Sequence, residues 1–276
     1  MTEPGDKART VADPCVDSEL ALAHKIEDLL FPKSSPLCTW CCIGVRNQMA
    51  DELGGDYFDF ITMPDGCQTL FIGDVTGHGL HASIVMSLVY GYLHRATQGE
   101  CDPVSLVSQV NRFLTSFARR SQALDHFFSS TLFFGIIDPA ALEMVYVNAG
   151  HVPPLVRRGE EIFPLDTTTQ PVGFFDDLEI TSGRFRFAAG DRLLLYTDGI
   201  VESANRAGEL FGSDRLRETL CTASGDDAEF LDILFNRLQG FGGDVPPDDD
   251  CTAIVVDFNS FRPAQLPRGK CPLPTA

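Results

Sequence analysis

The sequence predicts an α+β protein made of two antiparallel β-sheets packed face to face, with helices on the outside. Three observations lead there. Most of the β-type segments follow one another through hairpin-length connections. The helical segments come as inserted pairs and do not alternate with strands, which argues against a parallel α/β sheet. The chain of 276 residues, 44% hydrophobic and 22% charged, has the composition of a folded domain with ample core.

Taken in order, residues 1–16 are polar and aperiodic and read as a disordered tail. "DSELALAHKIEDLLFP" then predicts an amphipathic helix over 18–31, with Leu22, Ile26, Leu29 and Leu30 on one face, Asp17 or Ser18 as cap and Pro32 as stop. From "LCTWCCIGV" to "CQTLFIGDV" the pattern becomes β-branched and aromatic, with a hairpin turn at "MPDG" (63–66). Two helices follow. One starts near His81 with Ile84, Val85, Leu88, Val89 and Tyr92 on its buried face. The other has Asp102 at the N-cap and Pro103 at the first turn, burying Leu106, Val107, Val110, Leu114 and Phe117. Short strands come next: "SSTLFFGII", "EMVYVNAG", "PPLVRRG", "EEIFPL", "ITSGRFRF" and "DRLLLYTDG". Two further helices, "SDRLRETL" and "DDAEFLDILFNRLQGF", precede a last strand, "CTAIVVDF". The Pro-rich stretch 259–276 reads as a second disordered tail, leaving 17–258 as the folded domain.

Charge and composition exclude several function classes. A net charge of −18 repels phosphate backbones, so nucleic acid is not an expected partner. No apolar run is long enough to span a bilayer, and the first residues lack an apolar signal core, so the expected setting is cytoplasmic with no membrane contact. Nine scattered cysteines form no disulfide framework. The spacing in "CTWCC" falls on an expected strand that would point Cys38 and Cys41 to opposite faces, and buried free thiols are the reading.

Where the strands stop is more informative. "LGGDYFDF" opens a strand on Asp56, "TLFIGDVTGHG" closes one on Asp74, "RLLLYTDGI" ends on Asp198, and "DVPPDDDCTAIVV" sets Asp248, Asp249 and Asp250 before the last strand. Each alone has an ordinary turn explanation. Together they deliver four carboxylates to strand ends, and carboxylates so gathered repel one another unless cations intervene. Mg²⁺ and Mn²⁺ favour carboxylate, carbonyl and water oxygens. "LGGDYFDF" is also one letter from the G-G-D-E-F signature of diguanylate cyclases, but the fourth position is Tyr57, and the cyclase pattern has no counterpart to the later aspartate-bearing strands.

In order and spacing, "LGGDYFDF", "FIGDVTGHGLHASIVM", "VNAGHVPPLV", "LLLYTDGIVESAN" and "DDDCTAIVV" resemble the SpoIIE/RsbU-like branch of the PPM metal-dependent serine/threonine protein phosphatases, over roughly residues 18–258. The resemblance implies an α-β-β-α sandwich with two divalent cations, Mn²⁺ or Mg²⁺, at one edge. Matched motif to motif, it implies Asp56, Asp74, the Val75 carbonyl, Asp198 and Asp249 as metal ligands, Asp74 bridging both ions. Asp248 leaves the register of the last ligand open by one residue. His78 is the candidate general acid; a metal-bound water is the alternative.

The resemblance further implies hydrolysis of phosphoserine or phosphothreonine on a STAS-domain anti-sigma-factor antagonist in bacterial partner switching. Helix 18–31 would contact a regulatory partner or a second copy, or pack on its own sheet. A catalytically silent phosphoprotein-binding regulator and a small-phosphoester hydrolase are the alternatives. Among other residues, Asp59 reads as a solvated strand residue, with support of a metal ligand as the alternative, and Tyr57 and Phe58 as packing. His151 and Asn148 read as anchors of a strand end, His81 as surface, and Glu202 as a turn cap. No arginine matches the phosphate-binding arginine of eukaryotic relatives; Arg46 lies in its general region, nothing more.

Overall fold

The computed structural model describes residues 14–32, 40–50, 52–99, 102–120 and 128–258. The tails at 1–13 and 259–276, and Cys38 of the cysteine cluster, lie outside the described residues.

Among the described residues, ten strands form two five-stranded sheets in which neighbouring strands all pair antiparallel. One sheet takes the order β1 (Cys41–Gln48), β10 (Cys251–Phe258), β9 (Arg192–Tyr196), β6 (Leu155–Arg158), β7 (Glu161–Pro164). The other runs β2 (Asp56–Thr62), β3 (Gln68–Val75), β4 (Ser130–Asp138), β5 (Glu143–Ala149), β8 (Gly183–Arg186). α1 (Pro14–Leu30), α2 (Leu80–Ala96) and α3 (Pro103–Arg120) accompany the β2–β8 sheet. α4 (Asp198–Glu202), α5 (Gly212–Thr222) and α6 (Asp227–Gly242) accompany the β1–β7 sheet. This is the two-sheet sandwich flanked by helices that the segment pattern predicts.

Strand periodicity makes the layers. In β9, Leu193 and Leu195 enter the core between the sheets, while Leu194 and Tyr196 face the core under α5 and α6. β10 alternates likewise, with Ile254 and Val256 inward and Ala253 and Val255 outward. Strands buried on both faces read as unbroken apolar runs, as "LLLY" and "AIVV" do. α3 is bounded as its sequence demands: Asp102 accepts the amides of Val104 and Ser105 at 3.1 and 3.3 Å, and Pro103 opens the helix.

Two helices depart from expectation. α2 begins at Leu80 and buries Val85 and Val89 as expected, but pairs them with Ala82, Met86, Tyr90 and Leu93. Ile84 and Leu88 are exposed instead, because an equally apolar neighbouring face won the packing. α1 begins at Pro14, so residues 14–16 of the expected tail are helical. Three of its four apolar row residues point outward, Leu22, Ile26 and Leu29 being 58, 55 and 77% exposed, while Leu30 packs against the core and Glu27 is buried. Phe31 fastens the end of α1 by stacking on Phe58 of β2, with ring centroids 4.8 Å apart.

Candidate metal centre

Two antiparallel pairings bring the aspartates together. The β2–β3 register sets Asp56 directly opposite Asp74. The β9–β10 pairing, extended by the Thr197 amide donating to the Thr252 carbonyl at 3.0 Å, puts Asp198 beside the loop that carries Asp249. Asp198 is the first residue of α4, a short helix that sequence patterning did not separate from the strand before it. Because the first pair belongs to one sheet and the second to the other, the site exists only where the sheet edges meet.

Among the described residues, Asp74, Asp198 and Asp249 form a group that could hold a metal ion: one carboxylate oxygen from each lies within 4.8 Å of the others. The electrostatics are those of crowded acids. Burial, then the charges of Asp198, Asp249 and Asp250, push the Asp74 carboxyl up to about 8. Burial and Asp74 raise Asp56, and burial and Asp198 raise Asp249. Glycine makes room for this. A Cβ on Gly55 would lie 2.8 Å from Asp74 Oδ1 and 2.9 Å from the Val75 carbonyl oxygen, so only a bare backbone allows these oxygens to stand so close to the next strand. On Gly199 it would lie 2.1 Å from the Asp250 carbonyl oxygen. A hard divalent cation suits a pocket of carboxylate and carbonyl oxygens, and an opposite charge there relieves the repulsion.

The neighbours fall into clear places. Asp56 is 3% exposed and lies outside the three-carboxylate group; its Oδ2 accepts the hydroxyls of Thr197 and Thr252. Asp250 is a structural acceptor, taking the amides of Ala50 at 2.9 Å and Gly55 at 3.0 Å, so the loop before β10 is pinned to the strand entering the site. Asp248 is exposed. His78 is exposed in the loop after β3, and its charge acts on Asp249. Glu202 is exposed at the end of α4, its carboxyl raised by burial and by Asp198 and Asp249. His81 is exposed. His151 is buried; its Nδ1 lies 3.0 Å from Thr131 Oγ1, and its amide donates to Asn148 Oδ1. Thr131 Oγ1 accepts the Asp74 amide at 3.3 Å.

One reading needs correction. Asp59 is not a solvated strand residue: it is 6% exposed and its carboxylate accepts the Tyr90 hydroxyl at 2.7 Å and meets His94 Nε2. The strand alternation that would place Asp59 in water fails because α2 covers that face. Arg46 points away from the carboxylates, bonding Asp232 of α6 at 2.8 Å with its guanidinium over the Phe235 ring. Its place on β1 turns it to the outer face of the sheet.

Residues 64–259 match the family model described as Stage II sporulation protein E (SpoIIE), a span that includes Asp74, Asp198 and Asp249 and begins after Asp56. The chain belongs to the SpoIIE family of PPM-type phosphatases. Family relatives include the Phosphoserine phosphatase RsbP of Bacillus subtilis, 33% identical over 55% of this chain and 38% of that protein. Protein IcfG of Synechocystis is 28% identical over 91% of this chain and 43% of its own length. The chain therefore spans less than half of these two curated relatives. The SpoIIE-family fold is shared with the SiaA-PP2C domain of Pseudomonas aeruginosa, at a TM-score of 0.76, 21% identity and coverage of 89% of this chain and 98% of that one.

Residues that sequence reading did not single out hold this SpoIIE-family site together: Thr197 and Thr252 on Asp56, and Glu27, whose Oε1 accepts the Gly54 amide at 3.2 Å. The threonines were visible as the letters flanking the aspartates in "YTDG" and "DDCT", but nothing in one dimension pairs them with Asp56.

Proposed function

We propose that the chain is a metal-dependent protein serine/threonine phosphatase that hydrolyses phosphoserine or phosphothreonine. The observation that carries this reading is the convergence of Asp74 from one sheet with Asp198 and Asp249 from the other. Asp74, Asp198 and Asp249, with Asp56 and the Val75 carbonyl, would hold two divalent cations, Mn²⁺ or Mg²⁺. Such ions supply a nucleophilic water at neutral pH and neutralise charge on the phosphoryl oxygens. The chain's own residues do the rest. Asp74 presents its carboxylate between both halves of the site, Gly55 keeps that approach open, and the exposed His78 offers a proton to the departing alkoxide. For the ligand from the last motif this reading takes Asp249 over Asp248, supported by the place of Asp249 in the three-carboxylate group.

The substrate in this reading is a phosphoprotein, a STAS-domain anti-sigma-factor antagonist of a cytoplasmic partner-switching system. Support comes from the family and from a relative named as a phosphoserine phosphatase. Among the described residues no helix is long and apolar enough to cross a membrane. Regulation falls to α1, which offers Leu22, Ile26 and Leu29 to a partner or a second copy while Glu27 reaches the Gly54 amide beside the site.

The test is hydrolysis of p-nitrophenyl phosphate with Mn²⁺, with EDTA, and by Asp74→Asn and Asp198→Asn. Turnover that needs Mn²⁺ and falls at least about 100-fold in both folded variants is expected. A folded wild type inactive with every divalent metal, with α1 removed or a partner added, would leave a binding module in place of an enzyme.

A further inference from the structure

The carboxylates of the site come from two sheets, and one residue ties those sheets together beside them. Asp56 opens β2 in one sheet; Thr197 follows β9 and Thr252 lies in β10 of the other. Thr197 Oγ1 donates to Asp56 Oδ2 at 2.9 Å, and Thr252 Oγ1 donates to the same oxygen at 2.5 Å. All three groups are out of water, with both threonines at 0% and Asp56 at 3% exposure.

Hydrogen-bond accounting assigns the protons. Thr197 Oγ1 accepts the Thr252 amide at 3.0 Å, which occupies one lone pair and leaves its single proton to be donated. That proton has Asp56 at 2.9 Å and the Asp250 carbonyl at the longer 3.3 Å. A carboxylate oxygen is the stronger acceptor as well as the nearer one. Asp56 is thus gripped at one oxygen by two hydroxyls of the opposite sheet. Asp250 makes the parallel tie through backbone, accepting the Gly55 amide at 3.0 Å.

We infer that Thr197 and Thr252 are positioning residues for the divalent-cation site. By sharing one oxygen of Asp56 they set its orientation and, through it, the register of the two sheet edges that bring Asp74 to Asp198 and Asp249. The inference rests on the metal-site reading above. Valine in place of either threonine keeps nearly the same volume but removes a donor, leaving the buried oxygen short of partners next to Asp74; at 197 it also removes the acceptor of the Thr252 amide, so Thr252→Val is the cleaner of the two. Serine keeps the donor.

The experiment compares Thr197→Val, Thr252→Val, the double variant and the two serine variants with the wild type. Circular dichroism and thermal melts in EDTA report the fold, and calorimetric titration with Mn²⁺ reports affinity. Each valine variant is expected to bind Mn²⁺ about 10–100-fold more weakly than the wild type, and each serine variant within about 3-fold of it. Folded valine variants that bind Mn²⁺ as the wild type does overturn the inference. So do serine variants as weak as the valine ones, since packing of the methyl would then be what matters. If the double variant does not fold, the single variants decide. Asp74→Asn separates the two levels. If it loses Mn²⁺ while the valine variants keep it, only the positioning role falls; if it binds as the wild type does, the metal-site reading falls and the positioning role with it.

Discussion

Glu27 brings a carboxylate into the junction between α1 and the Gly54–Gly55 turn, where it is 3% exposed and its Oε1 accepts the Gly54 amide. Burial raises its pKa from 4.5 to about 7; Asp250 pushes the same way, while the Gly54 amide, His24 and Ser83 oppose it. The folded pKa lies above the unfolded one, so between these values the folded chain binds more protons than the unfolded chain. The contribution to stability is complete below pH 4.5 and is lost as pH rises through about 7. Urea titrations across pH 4.5–8 should therefore show a decline in wild-type stability that is shallower in Glu27→Gln; equal slopes in the two proteins would show that Glu27 does not titrate in this window. The aspartates of the site contribute slopes of the same sign, and the difference between wild type and Glu27→Gln isolates the glutamate.

Among the elements, α1 is the one whose packing departs furthest from its pattern. An amphipathic helix ordinarily turns its apolar row inward, yet Leu22, Ile26 and Leu29 face water and the helix is held by Phe31 on Phe58 and by the Tyr90 hydroxyl on the Leu30 carbonyl. Ile26→Glu with Leu29→Glu should accordingly leave the fold within about 0.5 kcal/mol of wild type per substitution, while abolishing whatever association the row supports. Urea melts and sedimentation read the two effects separately. A destabilisation of several kcal/mol would mean that the row is a core face after all. Phe31→Ala should act oppositely, costing about 3 kcal/mol because it empties a stacked, buried position.

On the scale of the whole molecule, the site is a seam. Metal held by ligands from both sheets binds the folded state and not the unfolded one, so it should stabilise the entire domain. At about 100 times its dissociation constant, Mn²⁺ adds about 2.7 kcal/mol, which for a domain of this size raises the melting midpoint by about 5–10 °C. EDTA should reverse the rise, and Asp198→Asn should not show it. A midpoint indifferent to Mn²⁺ would mean that the carboxylates gather without holding an ion.

Most of the fold was legible in one dimension. Turn letters such as "MPDG", the capping pair Asp102–Pro103 and the apolar runs of β9 and β10 act over a few residues, and local backbone physics is enough to place them. The aspartates at strand ends were legible too, since an acid closing an apolar run stands out. What only the tertiary structure decided is which of them meet: Asp74, Asp198 and Asp249 are far apart in the chain and become neighbours through strand pairing and sheet stacking. The faces of α1 and α2 belong to the same class, because two apolar rows compete on each helix or none is covered, and the winner is set by the sheet beneath. The same holds for Asp59, which α2 removes from water, and for Arg46, which β1 turns outward. Hydrophobic period and turn chemistry are properties of a segment; partnership between a buried oxygen and a hydroxyl is a property of two segments, and it exists only once the chain has folded.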